Sequence, residues 1–402
     1  MGRIQGTARE SIRGSPLQLL GTCILAYFAI RFVQIVLGPI LPVVLEEFRV
    51  SHGAAGLVFT CMWVAYALAQ LPSGVFADRF GERRIVLGSL ALCLLAALGI
   101  ALAPTFVLFG LFVAVLGAAA GSYYNPATAL LARSFDRVGG SIGGHRIGGQ
   151  LAGVIAPTLA AILLVRVGWR PTVALGAVLA AVVFVTVTAA VARSPPVRPD
   201  ASLRELFAPE ELAAVLAKPH TRVTTWMMTL IEFVVLATMA FLPTLLVEHN
   251  GFSLAAANVL FAAFFGLSAI LQPLSGLLSD RVGRDLTALG HLTIGAVGFG
   301  LLSSGATGVI AAGAVLLAAV TLGCTPIMQS RMLDGLSPAQ RGTGFGLFRT
   351  IYLLIGATGT TAVGVLADWS GWTVAFGLLT ACIGTVLVTT LIISTRSRMM
   401  GT

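Results

Sequence analysis

Twelve apolar runs, each about twenty residues or longer, follow one another along this chain. They fall at about 17–44, 54–76, 85–104, 106–132, 140–165, 171–192, 223–247, 254–278, 286–304, 307–330, 343–367 and 372–394. A helix of about twenty apolar residues crosses the hydrocarbon core of a bilayer. Runs of this length, repeated this often, leave little other than a helical membrane protein. A membrane β-barrel would show short alternating segments, and none appears. Composition agrees. Soluble domains carry about 25% charged residues, whereas here 10% are charged and the mean hydropathy is +0.95.

The net charge of +9 does not point to nucleic acid, because the positive residues sit in the breaks between runs. Nineteen of the 25 Lys and Arg fall on one side of the implied layout. They include Arg79, Arg83 and Arg84, then Arg133 and Arg137, five in 193–222, and Arg281 and Arg284. The other side has only Arg49, Arg166 and Arg170. By the positive-inside bias both termini are expected in the cytoplasm, with the chain in the cytoplasmic membrane. Trp169, Trp369 and Trp372 fall at the outer boundary, where indoles anchor in the interface. The stretch SLRELFAPEELAAVLA in the central segment reads as a linker with a short helix, or as a helix lying on the membrane face.

Several chemistries find no support. The one lysine, Lys218, lies in no GxxxxGK[ST] loop, and no HExxH appears, so neither an ATP-driven pump nor an enzyme is expected. The five cysteines lie inside apolar runs without metal or CxxC spacing, so no metal and no cofactor is expected.

The chain repeats at half its length. Asp78 in GVFADRFG matches Asp280 in GLLSDRVG 202 residues later, and Gln70 and Gln272 keep that offset. Gly168-Trp169 matches Gly371-Trp372, and Arg146 matches Arg349, at 203; Pro42 matches Pro243 at 201. Such ordered symmetry marks a transporter built from two equivalent bundles. The expected organisation is a bundle over 1–192, a cytoplasmic loop over 193–222 and a second bundle over 223–402.

The stretch GVFADRFGERR between spans 2 and 3, and its copy GLLSDRVGRD between spans 8 and 9, resemble the loop signature of the major facilitator superfamily. The resemblance covers essentially the whole chain. It implies the major facilitator fold: an all-α membrane protein of twelve transmembrane helices in two pseudo-symmetric six-helix bundles. In this motif Gly74 and Gly276 are expected to let helices approach, and Gly81 and Gly283 to permit tight turns. Asp78 and Asp280 are expected at helix N-termini or beside arginines. The resemblance implies a cytoplasmic latch of these residues with Arg79, Arg83, Arg84, Arg281 and Arg284, and with Asp136 and Asp334 as partners. Glu82 and Asp285 depart from the pattern, since the family more often has a basic residue there. Span 5, GGSIGGHRIGGQLAGVIAPTLAA, carries small residues at four-residue spacing, a helix-packing face.

From Gly14 to Leu45 the only charged side chain is Arg31. A cation in mid-span costs roughly 3 kcal/mol on insertion scales. Snorkelling and structural pairing are the bland explanations, and an intramembrane charge is by default a functional candidate. Arg31 lies 11 residues before Pro42, and Glu232 lies 11 residues before Pro243. Two mid-depth charges of opposite sign thus occupy matching positions in spans 1 and 7. In the family those spans line the central cavity, so the resemblance implies that both residues meet a substrate or each other. The run YxxxR from Tyr27 to Arg31, with Pro39 eight residues on, resembles the family's organic-anion-carrying branch, where such an arginine holds the anion. Glu232 stands where phosphate-ester carriers often have a second basic residue, which favours a monoanion or a zwitterion.

The expected function is secondary active transport of a small organic anion, with Glu232 as the proton-coupling residue and with symport as the coupling. Gln34, Tyr123, Tyr124 and Asn125 are further substrate-site candidates. Arg146 and Arg349, near the cytoplasmic ends of spans 5 and 11, are gate candidates, and His291 is assigned a structural part. The expected partners are a small-molecule substrate, protons and the bilayer, and the expected state is a monomer. Efflux of lipophilic drugs is the alternative, with an aromatic content of only 8% against it.

Overall fold

The computed structural model describes residues 15–136, 138–192, 195–200, 219–334 and 341–399. The candidate helix of the central segment lies outside these residues. Helices carry the described chain: α1 Pro16–Phe48, α2 His52–Phe80, α3 Glu82–Leu102, α4 Phe106–Ser134, α5 Val138–Arg166 and α6 Trp169–Ala190. The second half has α7 Pro219–Glu248, α8 Leu254–Val282, α9 Arg284–Ser303, α10 Gly308–Ala319, α11 Cys324–Asp334 and α12 Arg341–Met399. A 3₁₀ turn, Val320–Gly323, joins α10 to α11, and together they occupy span 10.

Among the described residues eleven helical stretches are long and apolar enough to cross a membrane. The last of them, Phe345–Arg396, holds spans 11 and 12. The helical hydrogen bonding runs on through Gly371, whose φ of 79° and ψ of 170° break the helix there. Twelve spans and eleven stretches are therefore the same architecture.

The sequence sets the helix ends locally. Ser15 and Gln18 form a capping box before α1: Gln18 N donates to Ser15 Oγ and Ser15 N donates to Gln18 Oε1. Pro16 follows at the first helical position, where its missing N–H costs nothing. Thr105 and Ser253 accept from Leu108 N and Ala256 N at the starts of α4 and α8. The turns between successive helices rest on glycine. Gly81, Gly168, Gly283 and Gly371 have φ of 88°, 83°, 93° and 79°, a region that side chains disfavour. These are two pairs of repeat-related positions.

By packing, the described residues fall into two units. One comprises those up to Ile40 and those from Cys61 into the central segment; the other comprises Leu41–Thr60 and the second half of the chain. The outer end of α1 and the first turns of α2 thus pack with the second half, although the sequence places them in the first.

In the first unit a Cβ on Gly117 or Gly121 of α4 would overlap the carbonyl oxygens of Met62 and Tyr66, so α2 and α4 touch backbone to backbone. Apolar side chains gain little by leaving lipid for a protein interior, and small residues that allow such contact carry the packing. Gly148 and Gly149 of α5 likewise press against Ile24 and Tyr27 of α1. The motif glycines behave differently. A Cβ on Gly74 or Gly276 would meet nothing within 4 Å, so the close approach expected there is absent among the described residues. In the second unit Gly356 and Gly359 of α12 lie against Glu232 and Phe233 of α7. Large apolar side chains such as Leu102, Val165, Val182 and Val309 are exposed, as a lipid-facing surface requires.

Trp369 is 83% exposed, which suits an interfacial anchor. Trp169 and Trp372 are buried instead, against Phe109 and against Phe241 and Phe376 respectively. The glycine before each indole turns it into the bundle, so the expected row of three anchors reduces to one.

Candidate functional site

In the first unit Arg31 is half-buried on α1. Its Nη1 donates to Gln34 Oε1 at 2.9 Å, a contact that the i, i+3 spacing on a helix provides. Its guanidinium carbon lies 5.9 Å from the centre of the Trp63 ring, within cation–π reach. Trp63 is buried on α2 and packs edge-on against Tyr66. Within this unit no carboxylate of a described residue lies within ion-pair distance of Arg31. Neutral groups therefore hold the cation in place and leave its charge uncompensated there. Arginine has no acceptor, so the Gln34 amide must turn its oxygen to Arg31. That leaves Gln34 Nε2 as a buried donor without a partner. Trp63 escaped the sequence reading because an aromatic residue in an apolar span disturbs no pattern.

One turn before Arg31, Tyr27 enters a ring cluster with Tyr123, Tyr124 and His145, at centroid separations of 6.1, 5.6 and 4.9 Å. Tyr123 is fully buried, and its hydroxyl donates to the Cys23 carbonyl at 2.8 Å. A carbonyl can only accept, so the 3.1 Å contact with His145 is a bond from the ring's Nε2–H to the Tyr123 oxygen. Tyr123 bolts α1, α4 and α5 together. Asn125 donates to the Gln70 carbonyl at 2.8 Å and ties α4 to α2. Tyr27 and Tyr124 are half-buried and keep ring surface open, whereas Arg146 is exposed.

In the second unit Glu232 is half-buried on α7. A Cβ on Gly356 would stand 2.9 Å from the Glu232 Cβ, so span 11 packs closely against the base of that side chain. Arg349 is half-buried near the start of the same helix. His291 is fixed through both ring nitrogens, to Ser275 Oγ at 2.7 Å and to the Thr287 carbonyl at 2.8 Å.

The loop motifs fold as charge clusters within each unit. Asp78 Oδ2 accepts from Arg198 Nη2 at 2.7 Å, and its carbonyl oxygen accepts from Val197 N and Arg198 N. The start of the central segment thus docks on the first motif. Glu82 is buried, and Arg133 comes within 2.9 Å of its Oε1, a charge contact poorly aligned for a hydrogen bond. In the second unit Arg331 donates to Asp285 at 2.6 Å, and Arg284 pairs with Asp334. Arg83 donates to the Thr188 carbonyl at 2.9 Å. Asp136, the partner expected for Arg83 or Arg84, is exposed. The acidic residue one place after Gly81 and the one two places after Gly283 take the basic residue near the end of span 4 and of span 10 respectively. That opposite sign at Glu82 and Asp285 is the reason for the different pairing. Arg79 lies near the Phe80 ring, and Arg84, Asp280 and Arg281 are exposed.

The chain is 25% identical over 372 residues to the nitrite extrusion protein of Bacillus subtilis, covering 83% of this chain and 86% of that one. It is 26% identical to the probable sulfoacetate transporter SauU of Cupriavidus necator, over 70% of this chain and 68% of the relative. It is 30% identical to the multidrug resistance protein MdtG of Citrobacter koseri, over 62% and 64% respectively. Among solved structures it resembles the nucleoside transporter NupG with a TM-score of 0.75, at 15% identity and covering 94% of this chain and 98% of that one. A bacterial homolog of the human lysosomal transporter Spinster gives 0.74 at 16% identity, covering 93% and 94%. The profile of the Major Facilitator Superfamily matches residues 23–253 and 223–399. With a helical fold, an internal repeat and that match over nearly its whole length, this chain belongs to the Major Facilitator Superfamily and is a multi-pass membrane transporter of a small molecule.

Proposed function

We propose that this chain is a secondary active transporter of a small organic monoanion or a zwitterion, with Arg31 as the anchor of the anionic group and Glu232 as the carrier of a coupled proton. The observation that carries the reading is the state of Arg31 in its own unit. A cation in mid-span is held by an amide oxygen and an indole face, with no carboxylate among the described residues of that unit beside it. A neutral cradle fixes the position of a guanidinium without cancelling its charge. An entering oxyanion then gains charge-assisted hydrogen bonds and removes the cost of a lone charge. The orphan Gln34 amide supplies a further donor beside it. Two of the relatives bear names that specify anions, nitrite and sulfoacetate.

Glu232 is a carboxylate within a span, and protonation is the ordinary means by which such a group becomes neutral. Transport in the symport direction, by alternating access across the cytoplasmic membrane with both termini inside, completes the proposal. Efflux of lipophilic compounds is the second reading. It draws on the likeness to MdtG and on the half-buried rings of Tyr27 and Tyr124.

The test is a thermal-shift panel of small carboxylates, sulfonates, nitrite, zwitterions and lipophilic cations on the purified protein and on Arg31→Ala. A ligand of the folded state raises the melting temperature by mass action. Stabilisation of the parent protein by anions, lost in Arg31→Ala, is the expected outcome. Equal stabilisation of both proteins by lipophilic cations, with none by anions, would establish the second reading instead.

A further inference from the structure

His52 opens α2 outside the apolar span at 54–76, within the segment Leu41–Thr60 that packs with the second half of the chain. Its two ring nitrogens meet two different carboxylates. Nδ1 lies 2.7 Å from Asp368 Oδ1, and Nε2 lies 2.9 Å from Glu248 Oε2. A carboxylate at these distances accepts. A neutral imidazole has one N–H and a lone pair on the other nitrogen, so it satisfies one carboxylate and repels the other. Only the doubly protonated ring donates to both.

The acceptors are fixed by other donors. Asp368 Oδ1 accepts from His52 N at 3.0 Å and Oδ2 from Gly53 N at 2.8 Å, so this carboxylate caps the N-terminus of α2. Glu248 Oε2 accepts from Trp372 Nε1 at 3.0 Å. The Trp372 ring stands edge-on to His52, with centroids 5.0 Å apart. Both carboxylates are thus held in place whether or not the ring carries its second proton, and the ring proton is the variable part.

Below the cluster the same segment is held by groups that do not titrate. Thr60 Oγ1 meets Thr360 and Thr361 hydroxyls at 2.7 Å, and Thr360 donates to the Gly56 carbonyl at 2.9 Å. Glu248 from α7 and Asp368 from α12 are the charged groups that act on the ring. His249, next to Glu248, faces the Ser303 carbonyl instead. The side chains of His52 and Asp368 are about one-fifth exposed, so water reaches the site.

We propose that His52 is a proton-binding site that sets how firmly the second unit grips the segment Leu41–Thr60. With the proton bound, the ring bridges the ends of α7 and of span 11 to the start of α2. Loss of the proton to solvent removes one of the two donors and leaves a lone pair against a carboxylate. The grip is then weaker, resting on one ring N–H, the Asp368 cap of α2 and the threonine contacts. The sign is fixed: stabilisation is present at acidic pH and falls as the pH rises through the titration of the ring. The arginine distribution assigns this end to the outer side, so the proton comes from the external medium.

The experiment uses the full-length protein in lipid nanodiscs. Amide hydrogen exchange, corrected for its intrinsic pH dependence, is followed for Leu41–Thr60 from about pH 5 to about pH 9. Ring carbons of ¹³C-labelled histidine report the proton, and among the five histidines His52 is identified by its loss in His52→Gln. The expected result is exchange in this segment that rises roughly threefold to tenfold as the His52 ring deprotonates, with the alkaline behaviour at every pH in His52→Gln. Glu248→Gln, which keeps the Asp368 cap, is expected to flatten the profile as well. Parallel pH profiles in the parent protein and Glu248→Gln, or a His52 titration without any change in exchange, would overturn the proposal. These readouts need no substrate, so their failure is distinct from failure of the transport reading.

Discussion

Glu82 and Arg133 meet at 2.9 Å in the first unit, and Asp285 and Arg331 repeat the arrangement at 2.6 Å in the second. Each acidic residue directly follows a motif turn or stands two places after it. Each basic residue comes from the C-terminal end of the span expected to stand fourth in its bundle. The two pairs keep a charge relation across the repeat although the acidic residues differ in length.

Removing Arg133 would leave a buried carboxylate without a counter-charge. Arg133→Ala is expected to destabilise the protein by about 2–4 kcal/mol, whereas Glu82→Gln costs less because it leaves no buried charge. Melting curves of the two variants in the same lipid check the asymmetry; equal losses would contradict it.

Gly121→Val places two methyl groups where the Tyr66 carbonyl of α2 already lies. We expect a loss of about 1–3 kcal/mol or a failure to fold. Gly74→Ala, by contrast, meets open space and is expected to leave the melting temperature nearly unchanged. A large loss at Gly74 with none at Gly121 would reverse this account of the packing.

Tyr123→Phe removes the hydroxyl that joins Cys23 to His145. The His145 Nε2–H is then a buried donor without an acceptor, a cost of about 1–3 kcal/mol. Because Tyr123 is buried and acts as a bolt, the loss is expected in stability, with ligand affinity nearly unchanged. Thermal denaturation and ligand titration on one preparation separate the two.

Trp63→Leu keeps the apolar bulk beside Arg31 and removes the ring face. The cation–π contact contributes about 0.5–2 kcal/mol, and its loss frees the guanidinium to leave its position. Affinity for the anion found in the thermal-shift panel is expected to fall by about threefold or more, with a small change in melting temperature. Isothermal titration checks it.

The fold was legible because a bilayer imposes a length on every crossing segment, and length is visible in a sequence. Arg31 was legible for the same reason, since a charge stands out against an apolar run. Trp63 was not, because nothing in the pattern separates an indole that holds a cation from one that fills a gap. The His52 cluster was invisible, because its partners lie 196 and 316 residues away along the chain. Gly74 misled because a glycine inside a helix suggests close packing, and only the neighbouring backbone decides whether that is its reason. The reversed charge at Glu82 announced a different partner without identifying Arg133.

Gly168 and Gly371, with φ of 83° and 79° and ψ of 177° and 170°, share a backbone conformation close to the mirror image of an extended L-residue. Chemical synthesis or semisynthesis offers a direct use. D-alanine at either site would stiffen the turn while preserving its direction, and L-alanine there would oppose it. What the duplicated halves hold in common at these points is handedness, a property that a comparison of side chains does not register.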